Sequence, residues 1–573
     1  MTQRDSVSIV LCGEAGQGIQ TIEIFLIKLF KAAGYQVFAS KEYMSRIRGG
    51  SNSTEIRVSS KPVAAYSDQI DLLIPLDREA LPHLEKQITA ATRILGETTK
   101  ILPPDHLTVH DIPFSKISAA IGNPVFANTV ASGVIAGLFI IDPDLLNHMI
   151  RRFFAAKSEA IINGNLEAAG KGYQLGKELR ESGQIVFEPP ATSNLEDNII
   201  VNGAEAVAMG ALAGGCNFIA SYPMSPGTGV LTYLAQYSRD FPIVVEQAED
   251  EISAINMALG AWYAGARALV TTSGGGFALM TEGISLAGMI ESPVVVHLAQ
   301  RPGPATGLPT RTEQGDLELV LYAGHGEFPR IILAPGNISE AFTLTQKAFQ
   351  MADEFQAPVF ILTDQFLVDS YCNVPAFNHH QLRVTPPQII ETAPDYRRYR
   401  LTDTGVSPRG IPGYGTGLVG VDSDEHDEAG HITEDLDLRV KMQQKRLRKM
   451  ELIQSSAIPP ELIGHPDYRV LIVGWGSTYG AIKEALTILD NTEIAFLHLK
   501  QVYPLAPGIG NYLTKANQII IVEQNATGQL GKLIQLTTGI AMEKPILKYN
   551  GMPFSVEELA DRIQARLAKE WGK

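Results

Sequence analysis

The chain has very little cysteine: Cys12, Cys216 and Cys372 are the three thiols among 573 residues. No two lie close enough for a CxxC pair, which leaves no basis for a disulfide framework or a local zinc or iron-sulfur ligand set. Thiols this sparse fit a reducing, cytoplasmic compartment. Long apolar runs are missing too, so no segment reads as a membrane helix. The start, MTQRDSVSIVLCGEAGQG, reads as a first strand running into glycines and not as a signal peptide. Basic residues are in deficit, and a net charge of -15 argues against a nucleic-acid surface, where phosphates require clustered Lys and Arg. Proteins and small molecules are the expected partners.

What is present is an α/β alternation too long for a single core. Residues 1–190 begin with strand Val7 to Cys12, a glycine turn and helix Ile19 to Ala33, and end in helical sequence around Leu145 to Leu179. Residues 191–375 alternate strands at Phe218–Ser221, Ala268–Thr272, Val294–Leu298, Arg330–Leu333 and Val359–Leu362 with helical segments, the rhythm of a parallel sheet. Residues 376–460 break that rhythm with prolines, glycines and an acidic run, then close on the basic helix Arg439 to Gln454. This piece reads as a linker and intersubunit strap. Residues 461–573 restart with strand Arg469 to Val473 and read as a smaller doubly wound domain. The expected fold class is α/β with several doubly wound domains.

Several loops carry candidate chemistry. The first turn, Gly13-Glu14-Ala15-Gly16-Gln17-Gly18, either presents backbone N–H groups to an anion at a helix start or simply turns the chain. Its GxxGxG spacing is not the dinucleotide pattern. Arg46 and Arg48 flank the pair Gly49-Gly50 and suit a carboxylate or phosphate, although an isolated RxRGG reads first as a solvated basic turn. Glu251 follows Glu246, Glu249 and Asp250 and opens a helix of small residues, including Ala254, Ala258, Gly260 and Ala261. Packed closely, such a helix would desolvate the carboxyl and raise its pKa, so that it can hold a proton for a ligand nitrogen. Arg301 follows the apolar strand Val294–Leu298, at the strand end where doubly wound sheets bind ligands. The acidic cluster Asp422 to His431 reads as solvated or paired across an interface, not as a metal site.

The ordered set GEAGQG, SRIRGGSNS, ASYPMSPGTG, EISAINMALGAWYAGARALVTTSGGGFALM, QRPGPATGLPTRTEQGDLELVL, HGEFPR and DEHDEAGHITED resembles the 2-oxoacid:ferredoxin oxidoreductases, in the form of an α subunit with a γ domain fused at its N-terminus. The resemblance implies thiamine diphosphate, coenzyme A and an iron-sulfur cluster acting together to convert a 2-oxoacid to its acyl-CoA, with release of carbon dioxide and reduction of ferredoxin. It also implies a pyrimidine-binding domain over 191–375 and a transketolase C-terminal-like domain over 461–573, the latter a dimer-packing module without catalytic residues. This chain has no GDG motif and no cysteine cluster, so Mg2+, the diphosphate site and a 4Fe-4S cluster fall to a β subunit, in an α2β2 assembly.

By the same resemblance, Glu251 hydrogen-bonds the cofactor pyrimidine and Arg301 binds the 2-oxoacid carboxylate. The turn Tyr222-Pro223-Met224-Ser225-Pro226 is similar to a YPITP turn that lines the site. Ser225 keeps the hydroxyl of the usual Thr but loses its β-branched stiffness. The γ-type domain, with Gly13, Gly16 and Gly18, implies the coenzyme A side. Arg48, with Arg46, sits like a basic residue facing the distal end of the substrate, which points to 2-oxoglutarate over pyruvate. A non-catalytic nucleotide-binding assembly protein and a pyruvate or branched-chain 2-oxoacid enzyme are the alternatives.

Overall fold

The computed structural model describes residues 5–14, 17–44, 50–191, 195–377, 386–542 and 544–571. Its contacts group the chain into two compact units. One comprises Met1–Val201, Ser370–Ala376 and Ser555–Glu558, and the other Asn202–Asp369, Phe377–Phe554 and Leu559–Lys573. No helix among the described residues is long and apolar enough to cross a membrane.

The first unit is built on an eight-stranded mixed sheet. Strand Ser6–Glu14 pairs antiparallel with Ser51–Ser59 and parallel with Leu72–Pro75. Helix Ile19–Ala32 lays Ile22, Phe25, Leu26, Leu29 and Phe30 on this sheet, the four-residue spacing of a one-faced helix. Helices Ala127–Leu138 and Glu159–Glu181 meet backbone to backbone. A Cβ on Gly133, Gly137, Gly172 or Gly176 would collide with main-chain atoms of the facing helix, so only glycine permits this approach.

In the second unit a seven-stranded sheet runs, in spatial order, Gln501–Tyr503, Ile331–Leu333, Pro358–Asp364, Val294–Gln300, Ala268–Thr272, Phe218–Ser221, Val244–Gln247. All neighbours are parallel except the edge strand Gln501–Tyr503, which the sequence does not signal. Strand Val294–Gln300 is buried along its whole length and is apolar except for His297 and Gln300, as expected of a strand covered on both faces. From Phe218–Ser221 the chain steps outward to Val244–Gln247, then returns to the other side of Phe218–Ser221 as Ala268–Thr272. The strand order therefore reverses between Phe218–Ser221 and Ala268–Thr272, and the crevice beyond their C-terminal ends is the switch point where such sheets bind ligands. A second, five-stranded sheet in this unit carries strands Val470–Trp475, Ile494–Leu499 and Gln518–Glu523 in parallel. The α/β class with doubly wound sheets is as the sequence predicts.

The basic helix, observed as Leu436–Ser455, is fastened inside the second unit by buried charges. Lys445 and Lys449 reach Glu291 at 2.6 and 2.5 Å, and Arg398 donates to the Glu291 carbonyl at 2.7 Å. The two ammonium groups hold the Glu291 carboxyl far below the usual range despite its burial. Within the acidic run, Glu425 accepts from Arg446 at 2.6 Å and from Arg439 at 2.7 Å, so this carboxylate is paired within the chain. Glu291→Gln leaves two buried ammonium groups without a counter-charge. It is expected to destabilise the second unit by about 3–5 kcal/mol, read as a lowered urea midpoint at unchanged slope; an unchanged midpoint contradicts this.

Candidate functional site

The site is assembled from loops at the C-terminal ends of the parallel strands. Asp250 caps the helix Glu251–Tyr263, accepting from the Ser253 backbone N–H at 2.7 Å, which sets Glu251 as the first helical residue. Glu251 is 2 % exposed, and its Oε1 is sealed from solvent without a hydrogen-bond partner. Burial pushes its pKa up. The Thr272 hydroxyl and the Arg301 charge, both close to the carboxyl, offset this in part.

The turn Ser273-Gly274-Gly275-Gly276 follows strand Ala268–Thr272 and opens helix Gly274–Leu279. A Cβ on Gly276 would overlap Glu251 Oε1 and Thr272 Oγ1, and a Cβ on Gly274 would lie 2.5 Å from both carboxyl oxygens of Asp316. The glycines let two acidic side chains approach one turn. Ser273 Oγ is also buried without a partner.

Across the crevice, Tyr222 and Ser225 are exposed and Met224 is half-buried, with the Ser225–Pro226 peptide cis. Arg301 Nη1 donates to the Ser225 carbonyl at 2.7 Å, while its Nε is sealed and unpartnered. The contact to Ser225 thus runs through its main chain. Beneath the turn, His297 is fully buried between Thr271 Oγ1 and Thr363 Oγ1, each 2.8 Å away, and burial pushes its pKa down to about 3. This neutral imidazole orders the hydroxyl of Thr271, whose Oγ1 also donates to the Gly227 carbonyl at 3.1 Å.

The loop that carries Arg301 ends at Gln314, and this side chain is pinned from the five-stranded sheet. Its Nε2 donates to the Trp475 carbonyl at 2.8 Å, and its Oε1 accepts from the Gln524 N–H at 2.9 Å. The turns at Trp475 and Gln524 therefore set where Asp316 stands, two residues on. The sequence marks the TTSGGGFALM turn as part of the pocket without giving Thr272 or Ser273 a role of its own, and it gives Asp316, His297 and Gln314 no role. An Asp two residues after the glutamine of a TEQGD segment has no separate signal, because its partners are a glycine and an arginine distant in sequence.

Glu251, Arg301, Ser225, Tyr222, Pro223 and Met224 are thus placed at one end of one sheet. Gly13 and Gly18 stand in the first unit. Gly18 adopts φ +80 at the start of helix Ile19–Ala32, and side chains at both positions would collide, with Gln17 at Gly13 and with Asn128 at Gly18. Gly16, Arg46 and Arg48 lie outside the described residues. Among the described residues no group of three metal-binding side chains converges.

A sealed carboxyl with a raised pKa and a free oxygen is suited to sharing a proton with the ring nitrogen of an enclosed heterocycle. A half-buried arginine nearby with an unused N–H suits an anionic co-ligand. The family described as pyruvate flavodoxin/ferredoxin oxidoreductase, thiamine diphosphate-binding, matches residues 209–445, and that described as pyruvate ferredoxin/flavodoxin oxidoreductase matches 8–175. The 2-oxoacid:ferredoxin oxidoreductase subunit alpha of Saccharolobus solfataricus is 31 % identical over 98 % of each chain. The 2-oxoglutarate oxidoreductase subunit KorA of Mycobacterium tuberculosis is 27 % identical over 98 % of this chain and 92 % of its own. A solved structure of 2-oxoglutarate:ferredoxin oxidoreductase from Magnetococcus marinus, with 2-oxoglutarate, coenzyme A and succinyl-CoA bound, superposes with a TM-score of 0.93 at 30 % identity, over 99 % of this chain and 100 % of that one. The chain belongs to the 2-oxoacid:ferredoxin oxidoreductase alpha-subunit family.

Proposed function

We propose that this chain is the alpha subunit of a 2-oxoglutarate:ferredoxin oxidoreductase, which with a beta subunit converts 2-oxoglutarate and coenzyme A to succinyl-CoA and carbon dioxide while reducing ferredoxin. The observation that carries the reading is the unpartnered Oε1 of Glu251, buried against a glycine turn in the switch-point crevice. That arrangement fits the aminopyrimidine of thiamine diphosphate: a buried acid for the ring nitrogen, and a surface with no side chain in the way. Bound there, thiamine diphosphate supplies a carbon nucleophile for the 2-oxo carbon. Glu251 holds and returns the proton at the ring nitrogen, and its burial, which raises its pKa, favours the protonated form that the exchange needs. Arg301, half-buried at the strand end, draws the substrate carboxylate into line by its charge. Tyr222, Pro223, Met224 and Ser225 form the adjoining wall.

Residues 1–190 are assigned to the coenzyme A side, with Gly13, Gly16 and Gly18 in its first turn. Arg46 and Arg48 are assigned to the distal substrate carboxylate. Residues 191–375 are assigned to the pyrimidine, 376–460 to the linker, and 461–573 to a transketolase C-terminal-like domain. Mg2+ and a 4Fe-4S cluster are assigned to the beta subunit of an α2β2 complex. The name of the Saccharolobus relative covers 2-oxoacids in general, which favours a second reading with a broader range that includes pyruvate. A substrate panel for the assembled complex, read as viologen or ferredoxin reduction, separates the two. A pocket that pairs the distal carboxylate should favour 2-oxoglutarate over pyruvate in kcat/KM by about a hundredfold or more, and equal or faster turnover of pyruvate overturns the 2-oxoglutarate assignment.

A further inference from the structure

One residue grips both ends of the turn Tyr222-Pro223-Met224-Ser225-Pro226. Thr271, near the end of strand Ala268–Thr272, donates its backbone N–H to Ser221 Oγ at 2.9 Å, just before the turn. Its hydroxyl donates to the Gly227 carbonyl at 3.1 Å, just after it. Gly227 comes this close because it has no side chain: a Cβ there would lie 2.8 Å from the Thr272 carbonyl and 3.0 Å from Thr271 Oγ1. From across the crevice Arg301 holds the Ser225 carbonyl at 2.7 Å. The next residue, Thr272, has its hydroxyl beside the Glu251 carboxyl, so the turn and the acid are both set from one strand end.

A threonine hydroxyl carries a single proton, and that of Thr271 faces two partners. The Gly227 carbonyl can only accept, whereas His297 Nδ1, at 2.8 Å, either accepts or donates. His297 is 0 % exposed, and its ring lies between Thr271 on one neighbouring strand and Thr363 on the other. With the ring proton on Nδ1, three bonds run in one direction: Thr363 Oγ1 to Nε2 at 2.8 Å, Nδ1 to Thr271 Oγ1, and Thr271 Oγ1 to Gly227. With the proton on Nε2, Thr271 must donate back to the ring. The Gly227 carbonyl then keeps only the Val230 N–H at 3.2 Å, and the turn loses its tie to the strand there. A buried chain of this kind settles in the direction that satisfies every member. Burial also keeps the ring neutral, so a doubly protonated form does not compete.

We propose that His297, as the Nδ1–H tautomer, is a positioning residue: it aims the Thr271 hydroxyl at Gly227 and thereby sets the turn Tyr222–Pro226 against Arg301 and Glu251. The inference rests on the reading of that turn as a wall of the substrate site. His297 touches neither substrate nor cofactor and acts through Thr271.

The test uses the complex with its partner subunit and 2-oxoglutarate, comparing wild type with His297→Asn, His297→Leu and Met224→Ala. Asparagine and leucine are alike in size and leave the same gap at the far edge of the ring, but only asparagine offers an N–H where Nδ1 stood. His297→Leu should lower kcat/KM by about 10–100-fold and His297→Asn by less than about threefold, the first being the loss expected when a reacting partner shifts by about 1 Å. Both should show a similarly lowered urea midpoint, since both lose packing. Equal kcat/KM for the two variants overturns the proposal. Neutron diffraction from crystals of the wild-type complex should find the ring proton on Nδ1; a proton on Nε2 overturns the proposal by itself, and this measurement decides it if His297→Leu does not assemble. Constants unchanged in Met224→Ala sink the underlying reading of the turn as a wall of the site. Altered constants there, with His297→Asn and His297→Leu alike, sink only the role of His297.

Discussion

Glu251→Gln, assembled with the partner subunit, is expected to lose turnover by about 10²–10⁴-fold, the range for removal of a general acid–base group, while the chain folds as before. Glutamine keeps the volume and the helix start that Asp250 caps, so neither packing nor the first turn changes. What it removes is an oxygen able to exchange a proton, in a place where Oε1 has no hydrogen-bond partner among the described residues. Because burial raises the pKa of Glu251, the protein already disfavours its charge, and a neutral amide costs the fold little. The expected pattern is therefore a collapse of kcat at unchanged thermal midpoint. Activity within twofold of wild type would remove Glu251 from the chemistry.

Gly276→Ala is the second large effect. The added methyl overlaps both Glu251 Oε1 and Thr272 Oγ1, and neither is the end of a flexible chain with room to retreat: Glu251 is 2 % and Thr272 0 % exposed. Overpacking of this kind costs about 1–3 kcal/mol of stability. The displacement of Glu251 should cost a further factor of about a hundred in kcat, as expected for a shift of about 1 Å in a reacting group. Gly260→Ala, in an exposed part of helix Glu251–Tyr263 with nothing within 4 Å, is the contrast. It should raise the stability of the isolated chain by about 0.5–1 kcal/mol, the helix-propensity gain alone. A Gly276→Ala complex with wild-type kcat contradicts the proposed crowding of the carboxyl.

Much of this arrangement is legible in the sequence because it is local. Period and turn chemistry locate the strands Phe218–Ser221 and Ala268–Thr272 at their observed bounds, and they place Glu251 at a helix start and Arg301 just past a strand end. What is not legible depends on distant segments meeting. Asp316 acquires its environment from Gly274 and Arg301, and Gln314 from Trp475 and Gln524 in a sheet more than 150 residues away in sequence. His297 sits in a largely apolar strand, where composition predicts only burial, and the parallel neighbours on its two sides give it its hydroxyl partners, Thr271 and Thr363. The short edge strand Gln501–Tyr503 is likewise decided by its partner Ile331–Leu333 and not by its own pattern.

The most direct test is a structure of this chain with its partner subunit and thiamine diphosphate. The pyrimidine ring nitrogen should stand about 2.6–3.2 Å from the Glu251 carboxyl, over the bare edge of Gly276, with Ser225 and Arg301 on the open side. A pyrimidine bound elsewhere, or one at this turn with Glu251 directed away from its ring nitrogen, contradicts the account.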